Sequence, residues 1–253
     1  MVEYRDLTDA ELRSRYESDA GVFIGEGVHV IRRLVTSAYP VRSVLVTPRK
    51  FEALRGDLET VRAPVYVAEQ AVMNRVAGFN IHRGAVASAD RLPARVVGDV
   101  LEGAARVAVV EALTDQENLG LIFRNAAGLG LDAVLLCPRT CDPLYRRTVR
   151  VSMGHVLHVP HARFDLWPDG LEDLRRSGFT IVALTPGASA TDIGTVDAGA
   201  FERVAVMIGS EGPGLSDAAL EAADLRVRIP MAPGVDSLNV ANAAAIAFFC
   251  LRT

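Results

Sequence analysis

Apolar and polar segments alternate along the chain in a way that predicts an α/β protein. Short apolar runs, too short for helices and ended by Gly, Pro or polar residues, alternate with segments of helical spacing. In the C-terminal part this alternation predicts a parallel sheet. The predicted strands there are Val107–Val110, Ala133–Leu136, Thr180–Leu184, Val204–Ile208 and Leu225–Ile229, and the predicted helices are Leu119–Gly128, Leu171–Ser177 and Leu238–Leu251.

The N-terminal part has its own, shorter pattern. After a charged helix at Asp9–Tyr16, the segment Gly21–Val35 predicts a strand that turns into an amphipathic helix. Three further strands follow at Val44–Thr47, Val65–Val67 and Gly84–Ala87. We therefore expect a small α/β domain at 1–93, a linker and lead-in helix at 94–103, and a larger domain at 104–253.

Composition narrows the class of protein. The 253 residues are 50% hydrophobic, which is enough for a core in each domain. No stretch of eighteen charge-free apolar residues occurs and the N-terminus is charged, so we expect no membrane span, no signal peptide and a cytoplasmic location. The net charge of −4 argues weakly against nucleic acid, but residues 1–100 carry 14 basic and 13 acidic side chains and are the more basic part.

The cysteines and histidines favour neither a disulfide framework nor a metal site. Cys137, Cys141 and Cys250 form an odd set without framework spacing, which suits a reducing compartment. Together with the histidines between residues 155 and 161 they match no zinc pattern. We expect no metal.

A glycine-rich loop follows the predicted strand Val204–Ile208. In MIGSEGPGLS, residues 207–216, the glycines Gly209, Gly212 and Gly214 allow a ligand to approach the backbone beyond the carboxyl end of a strand. Ser216 then has the character of a helix N-cap. The loop lacks the lysine of a phosphate-binding P-loop, and no strand-first GxGxxG occurs, so kinases and dinucleotide enzymes are disfavoured.

A second block repeats this plan in IPMAPGVDSLNVANAAAIAFF, residues 229–249. A Pro/Gly loop leads into a helix that is apolar all round after Asn242 and is therefore expected to be buried. Ser237 and Asn239 stand at its start, where an unpaired polar group would cost about 1–3 kcal/mol. Either Ser237 caps the helix and the asparagines bind nearby backbone, or these side chains belong to a site. The two blocks together favour an active site.

A third stretch, EALTDQENLGLIFRNAAGLGLDAVLL at 111–136, places Asn118 six residues before Arg124. An arginine within LGLIFRNAAGLG is unusual for an otherwise apolar helix. It is either a surface or ion-paired arginine, or part of the site.

The three blocks, in this order, resemble the motifs of the SpoU/TrmH family of ribose 2′-O-methyltransferases, which belong to the SPOUT class. Asn118 and Arg124 match motif one, Glu211 matches the G-x-E-G loop, and Ser237 and Asn239 match the S-L-N-V signature. Ala241 and Asn242 stand where the family often has serine. The resemblance implies that S-adenosylmethionine methylates a ribose 2′-hydroxyl of RNA, with ribosomal RNA favoured over transfer RNA. The other alternative is a non-catalytic RNA-binding protein of ribosome assembly.

The resemblance also implies a fold and roles for particular residues. The implied fold is a C-terminal domain with a deep trefoil knot that forms the cofactor pocket. The implied assembly is a homodimer. Arg124 would stabilise the developing 2′-oxyanion, with a role as the base left as the alternative, and in one possibility it would act across the dimer interface. Glu211 would orient Arg124 or another part of the site. The implied catalytic residues are Asn118, Arg124, Glu211, Ser237 and Asn239, and the implied cofactor contacts are Leu184, Thr185, Gly209, Ile229, Met231 and Leu238.

The N-terminal part resembles the substrate-binding domain that precedes the catalytic domain in many SpoU members, a fold shared with some ribosomal proteins. The turn Gly25–Gly27 and the segment Gly78–Ala87 carry this resemblance. In addition, YRRTVRVSMG at 145–154 resembles the family's R-x-S-x-G stretch. The implied RNA-binding residues are Arg32, Arg33, Arg83, Arg147 and Arg150.

Overall fold

A computed structural model of the chain describes residues 2–4, 17, 20–78, 81 and 83–252. The chain forms two compact units, the first comprising Met1–Pro93 and Pro143–His158, the second Ala94–Asp142 and Val159–Thr253. Residues 143–158, which we expected within the larger domain, thus group with the first unit. The predicted helix Asp9–Tyr16 lies outside the described residues.

Strands and helices alternate through most of the chain. The strands are β1 (Val22–Glu26), β2 (Val41–Val46), β3 (Val65–Val67), β4 (Ala85–Asp90), β5 (Arg106–Val110), β6 (Ala133–Leu136), β7 (His161–Arg163), β8 (Thr180–Leu184), β9 (Thr191–Asp192), β10 (Val204–Ile208) and β11 (Leu225–Arg228). The helices are α1 (Val28–Val35), α2 (Pro48–Leu58), α3 (Gln70–Ala77), α4 (Val97–Leu101), α5 (Gln116–Leu129), α6 (Arg146–Val151), α7 (Leu171–Arg176), α8 (Asp217–Glu221) and α9 (Val240–Cys250). Within the described residues, no helix has the length and apolar character needed to cross a membrane.

The first unit contains a four-stranded sheet in the order β1-β4-β2-β3. Strand β4 pairs antiparallel with β1 and β2, whereas β2 and β3 are parallel. A core cluster on this sheet includes Ile24, Leu45, Met73 and Val86, which are at most 1% exposed. The predicted strand at Gly84–Ala87 is longer than expected and continues to Asp90, because it pairs on both sides.

A buried ion pair connects α6 to β1 and explains why 143–158 groups with the first unit. The Glu26 side chain is 4% exposed and accepts a hydrogen bond of 2.8 Å from Nη1 of Arg146. Nη1 of Arg150 lies 3.6 Å from the same carboxylate oxygen. Since a buried charge left without its partner is strongly destabilising, this cluster fixes α6 against β1.

The second unit contains a seven-stranded sheet in the order β7-β6-β5-β10-β8-β11-β9, in which every neighbouring pair is parallel. This confirms the predicted parallel α/β sheet. Strands β6 and β10 are buried along their whole length, and β5 is buried from Val107 onward, as expected when helices cover both faces. Strand β10 lies between β5 and β8, so the strand order reverses beside β5. Ligands of open α/β sheets bind beyond the carboxyl strand ends at such a reversal.

Two helix starts differ from the predicted ones because side chains cap the helices at other residues. Helix α5 begins at Gln116, three residues before the predicted start, because Oδ1 of Asp115 accepts from the N–H of Asn118 at 2.7 Å. Helix α9 begins at Val240, two residues after the predicted start. Its N-cap is Asn239, whose Oδ1 accepts from the N–H groups of residues 241 and 242.

Candidate functional site

A cavity of about 360 Å³ lies beyond the carboxyl ends of β8, β10 and β11. We call it the first cavity. The loops that follow these strands and the start of α9 provide its walls. All six residues implied as cofactor contacts line it, namely Leu184, Thr185, Gly209, Ile229, Met231 and Leu238. Both motif blocks of the last quarter of the sequence therefore meet at one place.

The loop after β10 needs glycine at position 209 for space. A Cβ atom there would lie 2.1 Å from the carbonyl carbon of Gly214 and 2.2 Å from the nitrogen of Leu215. The loop closes tightly because Ser210 and Gly214 exchange backbone hydrogen bonds of 3.2 and 3.1 Å. Gly209 thus has a packing role in addition to bordering the cavity.

Three polar side chains from the three motif blocks form one hydrogen-bond network. Nδ2 of Asn118 donates to Oε1 of Glu211 at 2.7 Å. Nδ2 of Asn239 donates to the same oxygen at 3.1 Å and to Oδ1 of Asn118 at 2.9 Å. Residues that are 93 and 121 positions apart in sequence are therefore in direct contact.

The network lies at the N-termini of two helices. Asn118 is in the first turn of α5, and Asn239 is the N-cap of α9. Helix N-termini carry partial positive charge, which favours a carboxylate such as that of Glu211. Oε2 of Glu211 has no hydrogen bond with the described residues and is available to a ligand.

Ser237 lines the first cavity but does not cap α9, because Asn239 is the cap. The structural alternative that Ser237 caps the helix is therefore wrong. Its hydroxyl has no hydrogen bond within the described part of the chain, and the residue is exposed.

Arg124 stands apart from the network. Six residues along α5 correspond to a rise of roughly 9 Å and a rotation of about 240° from Asn118. Arg124 is exposed and has no hydrogen bond or ion pair with the described residues. The Glu211 carboxylate thus binds the two asparagines and not Arg124.

The arginines implied as RNA contacts are all in the first unit, and several of them contact protein groups. Nε of Arg32 pairs with Asp57 at 3.0 Å, Arg33 donates to the carbonyl of Met153 at 2.9 Å, and Arg150 lies near Glu26. Arg83 and Arg147 are exposed. Arg32, Arg83 and Arg147 are therefore the exposed members of the set.

Glu111 also belongs to this region, although its sequence context did not predict this. It is 5% exposed and follows β5 directly. Its carboxylate accepts from Nε1 of Trp167 at 2.5 Å, from Oγ of Ser216 at 2.7 Å and from the Ser216 backbone at 2.9 Å. Ser216 caps α8, as predicted. Glu111 therefore fixes the end of the glycine loop, and its only sequence signal was a charged residue directly after a buried strand.

No group of three or more His, Cys, Asp or Glu side chains that could hold a metal ion occurs among the described residues.

Burial, followed by the nearby Asp142 carboxylate, raises the pKa of the Cys141 thiol to about 12. This thiol is therefore protonated at neutral pH.

The fold and motifs agree with comparisons to known proteins. The model of the SpoU rRNA methylase family matches residues 105–249. The chain therefore belongs to this family and is a methyltransferase, which confirms the resemblance stated from the motifs.

Individual relatives extend over nearly the whole chain. An uncharacterized tRNA/rRNA methyltransferase of Mycobacterium tuberculosis is 48% identical over 248 residues, which cover 98% of this chain and 86% of the relative. The 23S rRNA (guanosine(2553)-2′-O)-methyltransferase RlmP of Bacillus subtilis is 31% identical over 232 residues, covering 91% and 88%. The crystal structure of the SpoU methyltransferase AviRb from Streptomyces viridochromogenes, in complex with AdoMet, has a TM-score of 0.80 at 26% identity, covering 93% of this chain and 91% of that one.

Proposed function

We propose that this protein transfers a methyl group from S-adenosylmethionine to a ribose 2′-hydroxyl of RNA, with ribosomal RNA as the substrate. The observation that carries the proposal is the Asn118–Glu211–Asn239 network beside the first cavity. The B. subtilis relative is named for 2′-O methylation of 23S rRNA, and the AviRb structure is described with AdoMet bound.

The first cavity has the chemistry expected for S-adenosylmethionine. Its walls are mainly loop backbone and uncharged side chains, with Glu211 as the one charged residue that lines it in the described chain. Its volume of about 360 Å³ lies within the range of small-molecule sites. The residues that would hold the cofactor are Leu184, Thr185, Gly209, Ile229, Met231 and Leu238. When bound, the cofactor supplies a methyl group on a cationic sulfonium.

The remaining task of the protein is to position the ribose and stabilise charge on its oxygen. Asn118 and Asn239 hold Oε1 of Glu211, which leaves Oε2 to accept a hydrogen bond from a ribose hydroxyl. Ser237 adds a hydroxyl on the wall of the first cavity. The 2′-oxygen becomes more anionic as its proton passes to water, so a cation there stabilises the transition state more than the ground state. We assign this role to Arg124, because arginine stays charged and is a poor base.

Arg124 lies on a different face of α5 from Asn118, so we propose that it acts in the site of a partner copy within a homodimer. Helix α9 packs against α5 and leaves Ile246 and Phe249 38% and 54% exposed. Exposed apolar side chains on a helix are typical of an interface. Sedimentation analysis of Phe249→Asp should show a monomer without methyl transfer. An active monomer would contradict the assignment of Arg124 to a partner site.

We also propose that the C-terminal region forms a trefoil knot. This is a rare topology in proteins generally. Support comes from β10 lying between β5 and β8, and from Ser237–Val240 lining the same cavity as Leu184–Pro186 and the glycine loop.

The first unit is proposed to bind the RNA substrate. Replacement of Arg32, Arg33 and Arg83 by Ala should weaken RNA binding and flatten its salt dependence, because each lost phosphate contact reduces counterion release. Cofactor affinity should stay unchanged. Normal RNA binding by the triple variant at several salt concentrations would give the first unit another role.

Mapping of ribose methylation in cells with and without the gene tests the choice of substrate. We expect one or a few ribosomal sites to lose their 2′-O-methyl group. Loss confined to transfer RNA would redirect the proposal, and loss at no site would favour the non-catalytic assembly protein.

A further inference from the structure

A second cavity, of about 560 Å³, adjoins the first. The loop after β5 (residues 111–115) and the loop after β10 (residues 210–217) form most of its wall, together with Arg139 after β6. Ser210, Glu211 and Gly214 line both cavities. A molecule in the second cavity would therefore contact the same glutamate that borders the proposed cofactor pocket.

The side chain of another arginine, Arg163, binds the backbone of the turn that carries Arg139. Nη1 of Arg163 donates to the carbonyls of Cys137 and Thr140, each at 2.7 Å, and to that of Pro138 at 3.2 Å, while Nη2 donates to that of Cys141 at 3.2 Å. Four carbonyls of one five-residue turn are thus held by a single guanidinium.

The same turn is also bonded to the loop after β5. The Cys137 and Cys141 backbone N–H groups donate to the carbonyls of Val110 and Leu113 at 3.0 and 2.8 Å, and Oγ1 of Thr140 donates to the Val110 carbonyl at 2.9 Å. The backbone that carries Arg139 is therefore preorganised against a wall of the second cavity, so little of it needs to be ordered when a ligand binds.

Arg139 itself has no comparable restraint. Its side chain is exposed and makes no hydrogen bond or ion pair with the described residues. It is the only basic residue among the described residues that line the second cavity. The other charged residues that line the cavity are Glu111, Asp115, Glu211 and Asp217.

Three of these carboxylates already accept hydrogen bonds from the protein. Glu111 binds Ser216, Asp115 caps α5, and Glu211 binds the two asparagines. These carboxylates repel an approaching phosphate, and a guanidinium at the edge of the cavity offsets part of that repulsion. Arginine also presents a planar fork of donors that matches two phosphate oxygens.

We propose that Arg139 binds a backbone phosphate of the RNA strand whose target nucleotide enters the second cavity. The proposal rests on the proposed function, since it takes RNA as the ligand. Arg139 would hold the strand in position while the target ribose reaches Glu211. It is a substrate-positioning residue and takes no part in the methyl transfer itself.

The test compares Arg139→Ala with Arg139→Lys and with Arg176→Ala, using the full chain and a ribosomal RNA transcript. Arg176 is an exposed arginine on α7 that pairs with Asp173 and lines neither cavity, so its loss removes the same charge elsewhere. We expect Arg139→Ala to weaken RNA binding about tenfold or more and to reduce the slope of log affinity against log salt by about 0.7–0.9. The Lys variant should recover part of the affinity, and Arg176→Ala should resemble wild type.

The kinetic pattern separates positioning from damage to the fold. Arg139→Ala should raise KM for RNA with a smaller change in kcat, and should leave S-adenosylmethionine affinity by calorimetry unchanged. If Arg139→Ala and Arg176→Ala show equal KM values and equal salt slopes, Arg139 does not bind phosphate, although the proposed function stands. If wild type binds RNA through Arg139 but methylates a base, the Arg139 proposal stands and the ribose chemistry fails. Wild type that binds no RNA would overturn both.

Discussion

Asn239 combines two roles that substitutions can separate. Its Oδ1 caps α9, and its Nδ2 donates to Asn118 and Glu211. Asn239→Ala removes both roles, whereas Asn239→Ser keeps a capping oxygen and loses the amide donor. We therefore expect the stability of the two variants to differ and their activity to fall together.

The expected magnitudes follow from these contacts. Loss of an N-cap costs about 1 kcal/mol. Two hydrogen bonds from an exposed side chain add about 1 kcal/mol in total, at the lower end of their usual range because water competes for both partners. The Ala variant should thus lose about 2 kcal/mol, or roughly 4–8 °C in Tm for a chain of this size, and the Ser variant about half of that.

Thermal unfolding and methyl transfer to RNA should be measured on the same preparations. Asp197→Ala is the control, because Asp197 caps a short turn by accepting from the Gly199 N–H at 3.0 Å and lines neither cavity. It should lose stability and keep activity. Wild-type activity of Asn239→Ser would show that the amide donor is not needed for methyl transfer. Equal unfolding temperatures of the Ser and Ala variants would show that the cap does not stabilise α9.

Three other substitutions test separate parts of the structure. Arg124→Ala should fold, bind S-adenosylmethionine and RNA, and lose methyl transfer by roughly 100-fold or more, measured as kcat, because a charge stabiliser of the transition state is removed; a normal rate would contradict its assignment. Arg163→Ala should lower the free energy of unfolding by about 1–3 kcal/mol in urea titration, because four carbonyls lose a donor; an unchanged midpoint would show that water replaces it fully. Burial lowers the pKa of His161, so the unfolded chain binds more protons and stability should fall as the pH drops below the ordinary histidine pKa of about 6.5. His161→Gln should therefore reduce the difference in Tm between pH 8 and pH 5.5. If that difference is unaltered, other titrating groups cause the pH dependence.

Most strands of the second unit were predictable because they are short, buried and ended by turn residues. Ala133–Leu136, Thr180–Leu184 and Val204–Ile208 have the predicted bounds. An apolar run of this length has few alternatives when Gly or polar residues end it. The parallel arrangement followed from the regular alternation with helices.

The details that the sequence could not provide depend on long-range polar contacts. Asp115 and Asn239 decide where α5 and α9 begin, and nothing local distinguished Asn239 from Ser237 as the cap. The grouping of 143–158 with the first unit follows from Glu26, which finds its arginine partners 120 and more residues away. Likewise, nothing in the sequence near Arg139 indicates that Arg163 binds the carbonyls of its turn.

Methyl transfer to a ribose 2′-hydroxyl can be tested by locating the transferred methyl group in the RNA product. A ribosomal RNA transcript should be incubated with the protein and S-adenosylmethionine labelled in the methyl group, and then hydrolysed with alkali. Because alkaline cleavage needs a free 2′-hydroxyl, a 2′-O-methyl group protects the adjoining phosphodiester. We predict that the label appears in alkali-resistant dinucleotides and that its rate of appearance falls by roughly 100-fold or more with Arg124→Ala. Label recovered in single nucleotides would place the methyl group on a base and rule out ribose 2′-O methylation.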